Sequence, residues 1–498
     1  MSLPNPMTEA LPLSEIKRQL LEKYRSGELA PSHSDRPTVT RRPGDRPAPL
    51  SLTQEQVWRN QMAAPGAPPF YNESITMHRH GPLEAAVLER CLQEIIRRHE
   101  IWRTTYDTVN GQAVQVIHPA PSTFSLPAVD LRQLPPGRRE AEALRVATQQ
   151  ARIPFDLREG PLVRATLVTL DDEEHRLFLT MHQSIVDGVS VYQVVPFELA
   201  SLYQAFSAGK PSPLAELPIQ FADFADWERS SLQEDAREGQ RSYWRKQLAG
   251  RVETLEWPAG RQRSRSFRGA IHPFAMSKQL TAELKQMSQQ EGVTLFMTLT
   301  AGFAALLHHY TRQASILIGT MGPGGRKRPE VQNLLGYFLN PLGLRIEVSR
   351  ASTFRQLLRH VREVVLGALA HDDLPFESVA SEVDPESDPN RHPLFQVVIT
   401  LAPSVPELGP GWSQTVMDVE SGGSKWDLYL EFSEGPEGLM GRAQYNPDIF
   451  DGAMIEQTLE DLERLLSEGL LQPGQPLPQW PEWAPEVVNP AVRTANLV

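Results

Sequence analysis

Residues 175–188 read HRLFLTMHQSIVDG. The apolar run from His175 to Met181 follows the acidic turn Asp171 to Glu174, and Leu162 to Leu170 precedes that turn, so the two runs are read as a strand pair. The second strand delivers His182 to its own end, where a loop can present side chains into a cleft. A helix is expected from near Val189. Within the loop, His182-Gln183-Ser184-Ile185-Val186-Asp187-Gly188 sets an imidazole, an amide, a hydroxyl and a carboxylate ahead of a glycine. A neutral imidazole can take a proton near pH 7. The amide of Gln183 can only donate and accept hydrogen bonds. Taken alone, the spacing is a weak signal.

Working outward, Leu88, Leu92, Ile95 and Ile96 mark one face of a helix, and Cys91 falls on that face as a small core residue. Tyr106 to Ile117 predicts a hairpin turning at Asn110-Gly111. Residues 228–265 are polar and read as a connection between two lobes. A second α/β series begins near Phe267. It holds a helix over 278–291, an apolar helix over 295–307, a strand ending at Thr320, and a closing helix around Ile455, Leu459, Leu462 and Leu466. Ahead of the first series, Ile16, Leu20 and Tyr24 give a short amphipathic helix over 14–26. A Pro/Arg-rich stretch from Pro31 to Pro49 reads as a linker, with Thr38-Val39-Thr40 its one strand-like piece. The tail after Gly474 reads as irregular.

The chain has 498 residues, a net charge of -12, 40% apolar and 22% charged residues. That length favours two domains or lobes. The acidic balance gives no support to a nucleic-acid or anionic-membrane partner. The basic run Arg326-Lys327-Arg328 reads on composition as a solvated loop. A single cysteine rules out an internal disulfide, and no metal site is read. No apolar run approaches the roughly 20 residues of a membrane span, and the amino terminus lacks a signal-peptide pattern. A cytoplasmic monomer is expected.

Companion motifs give the loop its meaning. Ser51-Leu52-Thr53-Gln54-Glu55-Gln56-Val57-Trp58 and Arg98-His99-Glu100-Ile101-Trp102-Arg103-Thr104-Thr105-Tyr106 resemble the first two motifs of the condensation domains of nonribosomal peptide synthetases. His182 to Gly188 falls at the active-site loop of that family. Phe221 to Trp227, Tyr243-Trp244, Ser266 to Gly269, Arg326 through Asn340, His371 to Glu377 and His392 to Gln396 follow in family order. The resemblance covers about residues 49–470.

The resemblance implies two chloramphenicol-acetyltransferase-like lobes of mixed α/β (α+β) structure, set as a V-shaped pseudo-dimer around a tunnel. Its implied divisions are a docking segment or linker over 1–48, lobes over 49–230 and 231–475, and a tail over 476–498. Two carrier proteins present substrates on phosphopantetheine arms, and an amine or hydroxyl attacks the donor thioester. No cofactor is bound by the domain itself. His182 is assigned a structural role, and Ser184 and Asn340 support the site. Asp187 is expected to pair with Arg326. Gly188 allows a tight turn and close substrate approach, its N–H facing the oxyanion. Gly322 to Gly325 lacks the ending of a phosphate-binding loop. Residues 1–48 resemble segments that dock an upstream synthase subunit.

Gln183 departs from the pattern, standing where the family has its catalytic histidine. Losing a general base costs about 10²–10⁴-fold. Three readings stay open: a histidine replaced to silence the enzyme, a natural amide that orients an already reactive nucleophile, or a silent platform recruiting carriers or tailoring enzymes. No adenylation or carrier motif is read, and neither heterocyclisation nor epimerisation signatures are found. The expectation is an acyltransferase that forms an amide or ester and can release the chain, in a nonribosomal peptide or hybrid polyketide pathway.

Overall fold

A computed structural model describes residues 38–44, 47–231, 234–250, 254–257, 266–383, 395–416 and 418–477. The helix read over 14–26, nearly all of the docking segment, His392 to Leu394 and the tail beyond 477 lie outside the described residues.

The strand pair read from the active-site stretch is the centre of a five-stranded sheet. Its spatial order is Trp412–Val416, Asn72–His80, Glu174–His182, Val163–Asp171 and Ala128–Asp130. Glu174–His182 is buried nearly end to end because both its faces are covered. Leu177, Leu179 and Met181 point into the main core beneath the helices Ala85–Arg98 and Val195–Ser207, while Phe178 packs on the opposite face against Ala143, Ala147 and Ala151. Those alanines, spaced by four along Pro136–Ala151, let that helix approach the sheet closely. Asn72 pairs with His182, so the sheet fixes the root of the loop from its neighbouring strand.

The second lobe is built on six strands, in the order Asn340–Glu347, Ser315–Gly322, Val397–Leu401, Leu428–Gly435, Gly438–Tyr445 and Ala270–Ser277. Helices Lys278–Gln290, Leu295–Thr311, Phe354–Ala370 and Gly452–Leu471 share its core. Leu295–Thr311 is buried almost all round, as its uniformly apolar sequence requires. No single helix among the described residues is long and apolar enough to cross a membrane.

The two lobes are interlocked. Trp412–Val416 leaves the second half of the chain to pair with Asn72–His80, Trp412 lying opposite Arg79. Val331, Leu334, Leu335 and Phe338 also bury themselves in the first lobe's core.

Several expectations need correction. The hairpin forms as Thr104–Val109 and Gln112–Ile117, with φ 52° at Asn110 and 78° at Gly111. The preceding stretch, however, is more than a linker. Val39 is 3% exposed within the first lobe's core, and Ala48–Pro49 pair with Gln112–Ile117 as an edge strand, a place that tolerates proline. Thr38-Val39-Thr40 itself forms no strand. The polar connection after 228 is largely helical, through Phe221–Ser231 and Glu234–Gln247, with buried Trp244 as its anchor. The helix expected near Val189 opens as a π-helical turn over Ser190–Val194 before Val195–Ser207. Pro196 lacks the N–H that an α-helix would bond to Tyr192, which suits the wider turn.

Candidate active site

The loop 182–188 is held from below by motifs that lie far off in sequence. Ser51 caps the helix Leu52–Ala63 in a reciprocal capping box with Gln54. Gln54 Nε2 then donates to the Ser184 carbonyl at 2.9 Å and to the Tyr106 hydroxyl at 3.0 Å. Tyr106 donates to the same carbonyl at 3.2 Å. The first two motifs thus converge on one backbone oxygen of the loop. Arg98 and His99 both bond buried Glu198, each at 3.0 Å, and His99 Nδ1 accepts the Leu335 N–H at 3.3 Å. That last bond secures the inserted segment of the second half.

His182 is 1% exposed, and both ring nitrogens are engaged. The Ser184 N–H donates to Nδ1 at 3.2 Å, so Nδ1 accepts and Nε2 carries the proton toward Gln61 Oε1 at 2.7 Å. The Ser184 hydroxyl lies 2.7 Å from Nδ1. Burial, aided by the Lys425 cation, pushes the imidazole pKa down to about 3. Its value in the unfolded chain is about 6.5. The folded pKa is the lower one, so the unfolded chain takes up the proton first. Stability is therefore complete above about pH 6.5 and is lost as pH falls toward 3, by up to about 1.4 kcal/mol per pH unit. Urea unfolding between pH 7 and 4.5 should show this fall, and His182→Asn should flatten it. An unchanged slope in the variant would assign the acid sensitivity to other groups.

Asp187 is the pivot of the loop. Its Oδ1 accepts the Ser190 N–H at 2.8 Å, as a helix N-cap does, and the Ser190 hydroxyl at 2.9 Å. Arg326 grips it bidentately, Nε to Oδ2 and Nη2 to Oδ1, both at 2.9 Å. Arg326 also donates to the Val331 carbonyl at 2.8 Å and lies 4.2 Å from the Phe338 ring centre. The basic run is therefore no solvated loop: Arg326 is buried, Lys327 pairs with Asp372, and Arg328 stacks on Trp227. Composition missed this because Asp187, Asp372 and Trp227, which hold the three cations in the fold, are distant in sequence.

Gly188 opens the helical turn and lines the cavity described below. Its backbone is not left-handed, and an added Cβ would meet Tyr192 at 3.6 Å and Pro403 at 4.0 Å, both ordinary contacts. The expected tight turn is thus not what selects glycine here. At the start of a helix its N–H has no partner within the helix. Asn340 stands apart from the loop, buried, with Nδ2 donating to the carbonyls of Asp372 (2.9 Å) and Leu374. It braces the 371–375 segment, which Trp244 ties to the inter-lobe helix through the His371 carbonyl at 2.8 Å.

Gln183 lies on the wall of a cavity of 1470 Å³ between the lobes. It is 9% exposed, and its N–H donates to the Tyr71 carbonyl at 2.8 Å. One stretch of the cavity is apolar, with Val293, Leu295, Phe296, Leu342 and Val365 on its wall. The other holds charges that the sequence reading missed. Lys425 Nζ donates to Gln183 Oε1 and lies 3.6 Å from Glu73. Arg442 bonds Glu431 at 2.9 Å, and the Tyr192 hydroxyl donates to Glu431 at 2.6 Å. Lys425 follows the run Ser421-Gly422-Gly423-Ser424, the one local clue to a close backbone approach. A Cβ on Gly423 would lie 2.6 Å from Phe70 Cα, so only glycine lets this loop reach the first lobe.

A family model described as a condensation domain matches residues 45–481. The chain is 40% identical over 442 residues to one of the linear gramicidin synthase subunits of Brevibacillus parabrevis, covering 87% of this chain and 6% of that protein. It is 34% identical over 481 residues to the phosphinothricin tripeptide synthetase PhsC of Streptomyces viridochromogenes, covering 95% of this chain and 44% of that protein. The chain thus spans less than half the length of either relative. Among solved structures, the X-domain from teicoplanin biosynthesis superposes with a TM-score of 0.76 at 26% identity, over 90% of this chain and all of that one. That X-domain is also known in complex with OxyB.

Proposed function

The chain belongs to the condensation-domain family of the nonribosomal peptide synthetases, and from that premise we propose that it joins a carrier-bound acyl thioester to an amine or hydroxyl acceptor. The observation that carries this reading is the placement of the 182–188 loop on the wall of the inter-lobe cavity, with Gln183 and Gly188 facing it. Condensation domains are acyltransferases with the two-lobe fold seen here. In the proposed step the acceptor attacks the thioester carbon, the new C–N or C–O bond forms, and the C–S bond breaks. The acceptor's proton leaves with the thiolate. Hydroxyl acceptors would give esters and could release the chain.

A cavity of 1470 Å³ exceeds the roughly 300–1,000 Å³ of an ordinary small-ligand pocket. That suits two substrates on the phosphopantetheine arms of separate carrier proteins. Held so, they gain the proximity that makes up much of the catalysis. Residues 1–48 are assigned to capture of an upstream synthase protein, and Gln183 is assigned a weakened rate.

A second reading follows from Gln183 and from the likeness to an X-domain that binds OxyB. In it the chain is a silent module that recruits carriers or tailoring enzymes. Turnover separates the two. An acyl-loaded carrier and a free amine are incubated with the protein, and product is followed by intact-protein mass spectrometry. Amide formed above the uncatalysed background supports the acyltransferase. A carrier that binds without product, in both the parent and its Gln183→His variant, supports the recruiter.

A further inference from the structure

Position 183 does not act alone on the cavity wall. Lys425 Nζ is in hydrogen-bond contact with Gln183 Oε1. A lysine ammonium carries donors only, so the contact decides which end of the amide faces it. The oxygen turns to Lys425, and the NH₂ becomes the free end; it makes no hydrogen bond among the described residues. A histidine here would offer a lone pair, whereas this arrangement offers N–H groups.

The surroundings fit a held cation. The Glu73 carboxylate lies 3.6 Å from Lys425, and Arg442 is 3.9 Å from the other Glu73 oxygen while bonded to Glu431. The rings of Tyr71 and Trp426 sit 5.2 and 5.1 Å away from Nζ, within cation–π range. Tyr429 lines the same cavity, and the Lys425 charge reaches His182, whose pKa it helps to lower. Two carboxylates thus balance two cations. Burial draws the Lys425 pKa below that of a free ammonium, while Glu73 opposes the fall.

We propose, resting on the acyl-transfer reading above, that Lys425 holds the Gln183 amide with its NH₂ toward the acyl carbonyl oxygen, making position 183 an oxyanion donor and the site selective for amine over hydroxyl acceptors. Lys425 is a positioning residue that acts through Gln183. An amine attacks with its own lone pair. The C–N bond forms as the carbonyl electrons move onto oxygen, where the Gln183 N–H meets them. Collapse expels the thiolate, and the ammonium proton passes to it. An alcohol must shed its proton as it attacks, and Gln183 cannot receive it.

The test measures amide and ester formation from one acyl-loaded carrier with a matched amine and alcohol. Lys425→Met should cut amide formation by about 10²-fold, the loss typical of one oxyanion donor. Lys425→Arg keeps a donor and should recover most of it. The parent should strongly favour amide, and Gln183→His should narrow that preference. An unaltered amide rate in Lys425→Met, or equal amide and ester from the parent, overturns the proposal.

A second measurement needs no turnover. In Gln183→His the introduced imidazole is titrated by NMR, with and without Lys425→Met. Removing the cation should raise its pKa by about one pH unit or more. Equal values overturn the proposal. A clear shift together with silence of every variant in the assay overturns the acyl-transfer reading instead.

Discussion

Gln183→His is expected to raise condensation by about 10²–10⁴-fold, the range over which a positioned general base contributes. The site is ready for the imidazole. Position 183 is buried on the cavity wall, its N–H anchored to the Tyr71 carbonyl at 2.8 Å, so the new ring inherits a fixed backbone. Burial and the neighbouring Lys425 cation both favour a neutral ring, the form that can take a proton at pH 7. The gain should be largest with hydroxyl acceptors, which need the base most. Paired single-turnover assays of parent and variant measure it. Matching rates would mean that positioning carries the reaction and the amide suffices.

The second large effect is on stability. Arg326→Ala should destabilise the fold by roughly 3–5 kcal/mol, the cost of leaving a buried charge without its partner. The Asp187 side chain is 0% exposed and that of Arg326 is 3% exposed, so water cannot take the guanidinium's place without opening the core. The same side chain bonds Ser190 Oγ at 2.8 Å and the Val331 carbonyl at 2.8 Å, which couples the loop to the inserted 331–338 segment. Urea unfolding of the variant measures the loss. The double variant Asp187→Leu with Arg326→Met, which removes both charges, should recover part of it. A loss below about 1 kcal/mol in Arg326→Ala would show that solvent reaches the pair and screens it.

What could be read from sequence was what is local or periodic. The Leu162–Leu170 and His175–Met181 strands, the Asn110-Gly111 turn and the apolar helix from Leu295 announce themselves through spacing and turn chemistry. The Asp187–Arg326 pair was reachable only through the family resemblance, since 139 residues separate the two. Lys425 escaped altogether. It lies 242 residues from Gln183, and the Gly422-Gly423 pair before it signals a close backbone approach without saying which part of the chain is approached. Glu73 reads as one more polar residue on a strand until Asn72–His80 is set beside Glu174–His182. The Trp412–Val416 strand was missed because its partner lies in the first lobe, and a pairing at that distance leaves no local trace.

That borrowed strand also sets a schedule for biosynthesis. Among the described residues, the outer edge of Asn72–His80 is paired by the strand 412–416, whose synthesis comes more than 330 residues later. At about 5–20 residues per second, the nascent first lobe waits roughly 20–70 s on the ribosome with that edge unpaired. An open edge is a template for pairing with other chains. Slowed translation between residues 80 and 412 should therefore increase co-translational aggregation, and supplying the 412–416 strand as a peptide should relieve it.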